Sequence, residues 1–105
     1  MINGVKLVGR LKNKIEITKN EDEEEFIIMV LSIPREKPEK DGSYKSDLVD
    51  VKVVGSIINK ISEMCKPGDL FGVIGHVSTK EPNEEHSPIE IIADKVSYLA
   101  GNGQE

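Results

Sequence analysis

The sequence is poor in aromatic residues and in cysteine. It contains no tryptophan, two tyrosines and two phenylalanines among 105 residues, and a single cysteine, Cys65. One cysteine cannot form an internal disulfide, which is typical of a protein from a reducing, cytosolic compartment. No apolar run approaches the length of a transmembrane helix, and the amino terminus lacks the apolar core of a secretory signal. The sequence therefore predicts a cytoplasmic protein without a membrane span.

Positive charge is also in short supply. The chain has 14 Lys and Arg against 19 Asp and Glu, which gives a formal net charge of −5. Because proteins bind phosphate backbones mainly through Lys and Arg, this balance argues against general binding of nucleic acid by the whole surface. It does not exclude a basic groove on an otherwise acidic body. Much of the acidic excess lies in residues 21–25 and 81–86, between strand-like segments, where we expect solvated loop tips.

The residue types that carry catalysis or metal binding do not form a recognisable pattern. His76 and His86 have no Cys, Asp or His at the spacing of metal ligands. Cys65 ends an apolar helical segment, where a buried thiol is the expected role, and no partner base is indicated. Gly72 and Gly75 lack the spacing and the strand-to-helix context of a phosphate-binding loop. The sequence therefore predicts no enzyme, no cofactor and no metal site.

In the first half of the chain, apolar residues mostly alternate with polar ones, which is the pattern of half-buried strands. A first strand is predicted over residues 5–17, with a bulge or bend at Gly9. Residues 26–33 form a continuous apolar and β-branched run that predicts a buried central strand. The polar, proline-containing residues 35–47 predict a long hairpin loop of the kind that often binds ligands. A further alternating strand covers residues 48–54.

The second half of the chain begins with a change of period. Residues 56–66 place apolar side chains at helical spacing, which predicts a helix with Ser56 as its N-cap. The Pro67-Gly68 pair marks the end of that helix. Two strands follow, over residues 69–80 and 88–99, and a frayed tail completes the chain.

Three strands, one helix and two strands is the order of the OB-fold, an all-β, five-stranded Greek-key barrel with one short helix between strands 3 and 4. Closing so few strands requires strong coiling, which bulges and glycine kinks provide. We assign that role to Gly9, Gly55, Gly72 and Gly75, and expect a further bend near Ala93-Asp94. The expected organisation is a single OB-fold domain over residues 1–100 and a disordered tail over 101–105.

Three segments of the chain carry a resemblance to a known family. They are NGVKLVGRL at the start, KPGDLFGVIG after the helix and ADKVSYL at the end. In this order they resemble the bacterial single-stranded DNA-binding protein family, and the similarity runs from about Met1 to Leu99. The resemblance implies an OB barrel that forms a homo-oligomer, a dimer or a tetramer, and coats single-stranded DNA in replication, recombination and repair. It also implies a place at the nucleoid and replication proteins as partners.

This sequence departs from the family that it resembles at the positions where the family carries base-stacking aromatic rings. These positions hold Lys37, Leu48, Val54 and Pro82. Stacking contributes about 1–3 kcal/mol per base, so the loss of several rings predicts weaker binding. We expect no counterpart, after Gly101, of the flexible tail with an acidic tip that the family carries.

Cationic positions match the family better. Arg10, Arg35 and Lys80 stand at basic positions, and His76 stands where Arg or Gln is common. Tyr44 is the one candidate for stacking, with packing against its own barrel as the alternative. We expect DNA binding that depends steeply on salt. The candidate DNA-binding residues are Arg10, Lys12, Arg35, Lys37, Tyr44, Lys52 and Lys80.

An alternative function is a protein-interaction module, similar to the small primosome relatives of the family, that has lost competent DNA binding. The acidic loops and the absent aromatic residues favour this alternative. The resemblance along nearly the whole chain and the retained cations favour binding of single-stranded DNA without strong sequence preference. We take DNA binding as the prediction.

Overall fold

The computed structural model describes residues 1–101. In chain order the elements are β1 (Val5–Leu11), β2 (Thr18–Lys19), β3 (Glu25–Pro34), β4 (Ser46–Val54), α1 (Ile57–Met64), β5 (Leu70–Thr79) and β6 (Ile89–Ala100). Of the tail that the sequence predicts, residues 102–105 lie outside the described residues. None of the helices within residues 1–101 is long and apolar enough to cross a membrane.

Five of these strands close into a barrel. β1 pairs with β5, β5 with β6, β6 with β4, β4 with β3, and β3 returns to β1. The pairing of β4 with β6 is parallel, and the other pairings are antiparallel. α1 lies between the third and the fourth barrel strand in the chain, so the predicted OB-fold order is confirmed. β2 adds two residues that pair with the start of β3.

Side chains that point into the barrel form one hydrophobic core. Its largest fully buried members are Leu11, Ile27, Met29, Leu31, Val51, Val53, Phe71 and Val73. α1 contributes Ile58 and Ile61 to the same core. The apolar run of β3 is therefore buried on one face only, because alternate residues of a strand point to opposite sides. Phe26, Ile28 and Val30 face outward and are only partly buried, so the predicted buried central strand is confirmed for one of its two faces.

The chain leaves the first strand earlier than the alternating pattern predicts. Residues 12–17 do not form a strand, because the side chain of Asn13 takes the place of the next ladder hydrogen bonds. Its Nδ2 donates to the carbonyl oxygen of Ile28 at 3.0 Å, and its Oδ1 accepts from the N–H of Val30 at 2.9 Å. The backbone of β3 is thereby satisfied while the chain turns away. Ile15 still reaches the core, which explains the alternation.

Gly75 lies at a close approach between β5 and β6. A Cβ atom at this position would overlap the carbonyl oxygen of Ile92. The register between β5 and β6 shifts at Gly75, and Asp94 is the extra residue, so the predicted bend near Ala93-Asp94 is confirmed. A Cβ atom at Gly9 would similarly lie 2.8 Å from the carbonyl oxygen of Ser32. Only a residue without a side chain allows these two close approaches.

The other two glycines have different surroundings. A Cβ atom at Gly72 would meet only the side chain of Leu99, at 3.5 Å, and the strand register runs through Gly72 without a break. The β5–β6 register shifts one residue earlier, between Leu70 and Phe71, so the bending role of Gly72 stays a prediction. Gly55 follows β4 with a φ of 95°, in the turn that leads into α1.

Helix α1 ends two residues before the predicted Pro67-Gly68 stop. Cys65 already has extended backbone angles, and its N–H donates to the carbonyl oxygen of Ile61 as the last helical bond. Ser56 occupies the predicted N-cap position, but its side chain makes no capping hydrogen bond. The predicted helix is therefore confirmed with shorter bounds.

Candidate nucleic-acid interface

The outward-facing side chains of β3 and β4 form a continuous surface, which we call the β3–β4 face. Its cross-strand pairs, in order along the sheet, are Phe26 with Val54, Ile28 with Lys52, Val30 with Asp50 and Ser32 with Leu48. Leu48 and Val54 are 59% and 48% exposed. At Leu48 and Val54 the face thus has aliphatic side chains where the family that the sequence resembles carries stacking rings. It also carries one cation, Lys52, and one anion, Asp50.

Lys52 and Lys80, which lie 28 positions apart in the chain, line the same concavity of about 130 Å³. Closure of the barrel brings them together, because β4 pairs with β6 and Lys80 follows β5. The N–H of Lys80 donates to the carbonyl oxygen of Pro88 at 3.1 Å, which holds the two ends of the β5–β6 loop together. The remaining lining residues are Ile28, Asp50, Ile89, Glu90 and Ile91. The concavity therefore combines two cations with two carboxylates and an aliphatic floor.

Phe26 is an aromatic residue of this face that the sequence analysis did not identify. The Nζ atom of Lys52 lies 4.9 Å from the centre of its ring, within the range of a cation–π interaction. In the sequence, Phe26 begins a run in which both strand faces are apolar, so alternation could not show which residues point outward. The register with β4 supplies that information.

Arg35 is engaged with a carboxylate at the base of the loop that joins β3 to β4. Its Nη2 and Nε atoms donate to Asp47 at 2.9 and 3.2 Å. These hydrogen bonds, with the charge attraction, hold the pKa of Asp47 below its ordinary value and raise the pKa of Arg35. Both side chains are more than half exposed. Arg35 therefore reaches solvent with a charge that Asp47 partly neutralises.

The rest of this loop presents a lysine and a tyrosine. Lys37 lines a shallow concavity with Arg35, but Glu36, Glu39 and Asp47 line it as well. The loop tip is ordered by Asp41, whose Oδ1 accepts hydrogen bonds from the N–H and the hydroxyl of Ser43 at 2.9 and 2.6 Å. These bonds lower the pKa of Asp41. Tyr44 is 61% exposed and projects from the loop, which argues against packing on its own barrel.

Arg10 and Lys12 do not line the concavity that holds Lys52 and Lys80. The Nη1 atom of Arg10 donates to the carbonyl oxygen of Gly68 at 2.9 Å and to that of Gly101 at 3.4 Å. Arg10 therefore ties the turn before β5 to the end of β6. The backbone N–H of Lys12 donates to the carbonyl oxygen of Val30 at 2.8 Å, and its side chain is exposed. The structure thus brings together only part of the predicted set.

An acidic turn lies beside one end of the β3–β4 face. β2 pairs with the start of β3, with Thr18 opposite Phe26, so residues 20–24 turn directly next to the ring. The Oδ1 atom of Asn20 accepts from the N–H groups of Asp22 and Glu24 at 2.9 and 3.0 Å and orders this turn. The predicted solvated loop tip is confirmed. Its charge repels phosphate from this end of the face.

The groups that could carry catalysis or bind metal lie apart from this face. The Nδ1 atom of His76 is 3.0 Å from the carboxylate of Asp94 on the neighbouring strand. Burial, with a smaller contribution from the charge of Asp69, raises the pKa of the Cys65 thiol and so disfavours a reactive thiolate. Within residues 1–101 no three His, Cys, Asp or Glu side chains are placed to hold a metal ion. The face is suited to binding through charge and apolar contact.

The sequence model of the single-strand binding protein family matches residues 2–99. The chain is also 23% identical to "Single-stranded DNA-binding protein 1" of Streptococcus pyogenes serotype M18, over 94% of this chain and 79% of that protein. A mitochondrial single-stranded DNA-binding protein from S. cerevisiae has a similar structure, with 14% identity, a TM-score of 0.74 and coverage of 94% and 95%. The Plasmodium falciparum SSB in complex with ssDNA is 17% identical to this chain, with a TM-score of 0.73. The similarity covers 94% of this chain and 96% of that one. The two structural similarities support the assignment of the OB-fold.

Proposed function

We infer the function from one premise, which is that the chain belongs to the single-strand binding protein family. The proposed function is binding of single-stranded DNA, without strong sequence preference, in DNA replication, recombination and repair. One observation carries it: Lys52 and Lys80 converge at a concavity on the outer face of a barrel whose sequence matches this family over residues 2–99. Binding, rather than catalysis, is the proposed activity.

The proposed contacts divide into phosphate contacts and base contacts. Lys52 and Lys80 neutralise phosphates at the concavity, and Lys37 extends the cationic path along the loop. The bases lie against the exposed aliphatic surface that Leu48 and Val54 provide. Aliphatic side chains pack against any base but lack the π-face of a stacking ring. Binding through these contacts therefore tolerates different base sequences and depends on charge more than on stacking.

Several carboxylates oppose this binding. Asp50 and Glu90 line the same concavity as the two lysines, and Asp47 partly neutralises Arg35. Counterion release scales with the number of phosphates that cations neutralise, so a small set of free lysines gives low affinity at moderate salt. We expect tight binding only at low salt.

A homo-oligomer, a dimer or a tetramer, is part of the same proposal. Val8 on β1 and Ile74 on β5 are 55% and 48% exposed and lie on the outer side of the barrel as diagonal neighbours, since Lys6 pairs with Ile74 and Val8 with Gly72. A contiguous exposed apolar patch marks an interaction site, and we propose these two side chains as the centre of such a patch. Replication proteins as partners, and a place at the cytoplasmic nucleoid, are proposed from the family alone.

Titration of a fluorescently labelled oligo-dT with the whole chain tests the proposed function. We expect binding at low salt, with an affinity that falls steeply when salt is raised, and weaker binding to a duplex of the same length. No binding to oligo-dT even at low salt would contradict the proposal and favour the protein-interaction module. Equal affinity for the duplex would reduce the function to unspecific attraction between lysines and phosphates.

A further inference from the structure

Phe26 and Lys52 place an aromatic ring and a cation together on the β3–β4 face. We propose that Phe26 is a stacking platform for one unpaired base, and that Lys52 moves from the ring to a phosphate when DNA binds. This proposal rests on the proposed function and names the residue at which a base is bound most tightly.

The position of Phe26 distinguishes it from the other aromatic residues of the chain, all of which lie within the described residues. Tyr44 belongs to the loop after β3, Phe71 is buried in the core, and Tyr98 packs edge-on against Phe71 with ring centres 5.6 Å apart. Only Phe26 points outward from β3 or β4. A base that lies on the β3–β4 face can therefore stack on no other ring of that face.

The neighbours of Phe26 leave room for a base. Its cross-strand partners are Thr18 on β2 and Val54 on β4, and both have short side chains. Phe26 is only partly buried, so part of its surface is accessible, and Val54 beside it is 48% exposed. Lys52 reaches the ring diagonally from its position opposite Ile28, and its ammonium occupies the space next to the ring in the free protein. This is space that a base can take when the flexible lysine side chain swings away.

Exchange of the ammonium for a base is favourable both for the Phe26 ring and for the Lys52 side chain. A cation–π interaction at an exposed site is weaker than base–aromatic stacking, so the ring gains from the exchange. The freed ammonium of Lys52 remains within reach of the concavity that Lys80 also lines, where the phosphates of the bound strand are proposed to lie. Lys52 thus covers the ring in the free protein and neutralises a phosphate when DNA is bound.

Tryptophan fluorescence tests the stacking directly, because the chain contains no tryptophan of its own. In Phe26→Trp, the new indole is the only tryptophan, and stacking of a base on it quenches its emission. Tyr98→Trp, at an exposed aromatic position off the β3–β4 face, is the matched control. Binding itself is followed separately through the labelled oligo-dT, so that loss of binding and loss of stacking are distinguishable.

We expect oligo-dT to quench Phe26→Trp in proportion to the bound fraction and to leave Tyr98→Trp unchanged. Binding of oligo-dT to Phe26→Trp without a change in emission overturns the platform while the proposed function stands. Equal quenching of both variants also overturns it, because the effect is then not specific to this position. Absence of oligo-dT binding by the unmodified chain overturns the proposed function and the platform together.

An abasic oligonucleotide of the same length supplies a second, independent test. It keeps the phosphates and lacks the bases, so Phe26→Leu should weaken binding of oligo-dT about fivefold or more and leave binding of the abasic strand unchanged. Lys52→Gln should weaken both ligands, because its contact in the complex is to phosphate. If Phe26→Leu weakens both ligands equally, with an unchanged melting temperature, the ring does not stack on a base and the proposal fails.

Discussion

The guanidinium of Arg35 donates hydrogen bonds to the carboxylate of Asp47 from Nη2 and Nε, at 2.9 and 3.2 Å. This contact joins the end of β3 to the start of β4. Arg35 thereby holds the base of the long loop in place. The same contact neutralises part of the charge that a phosphate could use. Arg35, which the sequence predicts as a DNA-binding residue, therefore also has a structural role at the base of the loop.

Asp47→Asn should increase the affinity for oligo-dT. The change removes a negative charge and frees the Arg35 guanidinium, so we expect binding at low salt to tighten about two- to fivefold, the range for one exposed charge pair. Fluorescence anisotropy of a labelled strand measures the effect. Unchanged or weaker binding would show that Arg35 does not face the bound strand.

Gly75→Ala should destabilise the barrel. The added methyl group collides with the carbonyl oxygen of Ile92, which is fixed in the β5–β6 pairing, and such overpacking costs about 1–3 kcal/mol of unfolding free energy. Gly72→Ala is the control, because its methyl group meets only the flexible side chain of Leu99 at 3.5 Å. Urea unfolding measures both. Equal losses in the two variants would argue against the close approach at Gly75.

Neutralising the acidic turn should strengthen DNA binding. The combined variant Glu21→Gln, Asp22→Asn and Glu24→Gln keeps the backbone hydrogen bonds to Asn20 and removes three charges next to the β3–β4 face. We expect a severalfold gain in affinity at low salt that disappears as salt shortens the Debye length. A gain that persists at high salt would point to a cause other than charge repulsion.

Ile74→Glu should reduce the oligomer to a monomer, because it places a charge in the proposed β1–β5 interface. Met64→Glu is the matched control, since Met64 on α1 is also exposed, at 64%, and lies outside that interface. Sedimentation velocity at micromolar concentration measures the size. A monomeric unmodified chain, or an unchanged size for Ile74→Glu, would contradict the interface.

The order of the elements could be predicted because each barrel strand has its own local signal. Alternation predicts β1 and β4, and the change to helical spacing predicts α1. The segment after β1 has the alternation of a strand without being one, because Ile15 reaches the core while the Asn13 side chain ends the ladder two residues earlier. A hydrogen bond from a side chain to a distant strand leaves no local pattern in the sequence.

The candidate site was less predictable than the fold. Lys52 and Lys80 could be named as cations, but their convergence depends on how β4 meets β6 when the barrel closes. Phe26 was hidden in a run that is apolar on both faces of the strand. Arg10 is the opposite case. Its position in the resembled family predicts a contact with DNA, whereas its guanidinium donates hydrogen bonds to backbone carbonyl oxygens. Register and closure decide these cases, and both are properties of the folded chain.

The central proposal is that single-stranded DNA binds at the concavity beside the β3–β4 face, through Lys52 of that face and Lys80 at the end of β5. The most direct test compares Lys52→Gln/Lys80→Gln with the control Lys60→Gln/Lys66→Gln, which removes the same charge near α1. Oligo-dT affinity is measured across a series of salt concentrations. We predict that the first pair loses affinity at low salt and flattens the slope of log K against log salt by about 1.4, which is roughly 0.7 for each lost phosphate contact. The control should bind like the unmodified chain, and equal losses in the two pairs would contradict the claim.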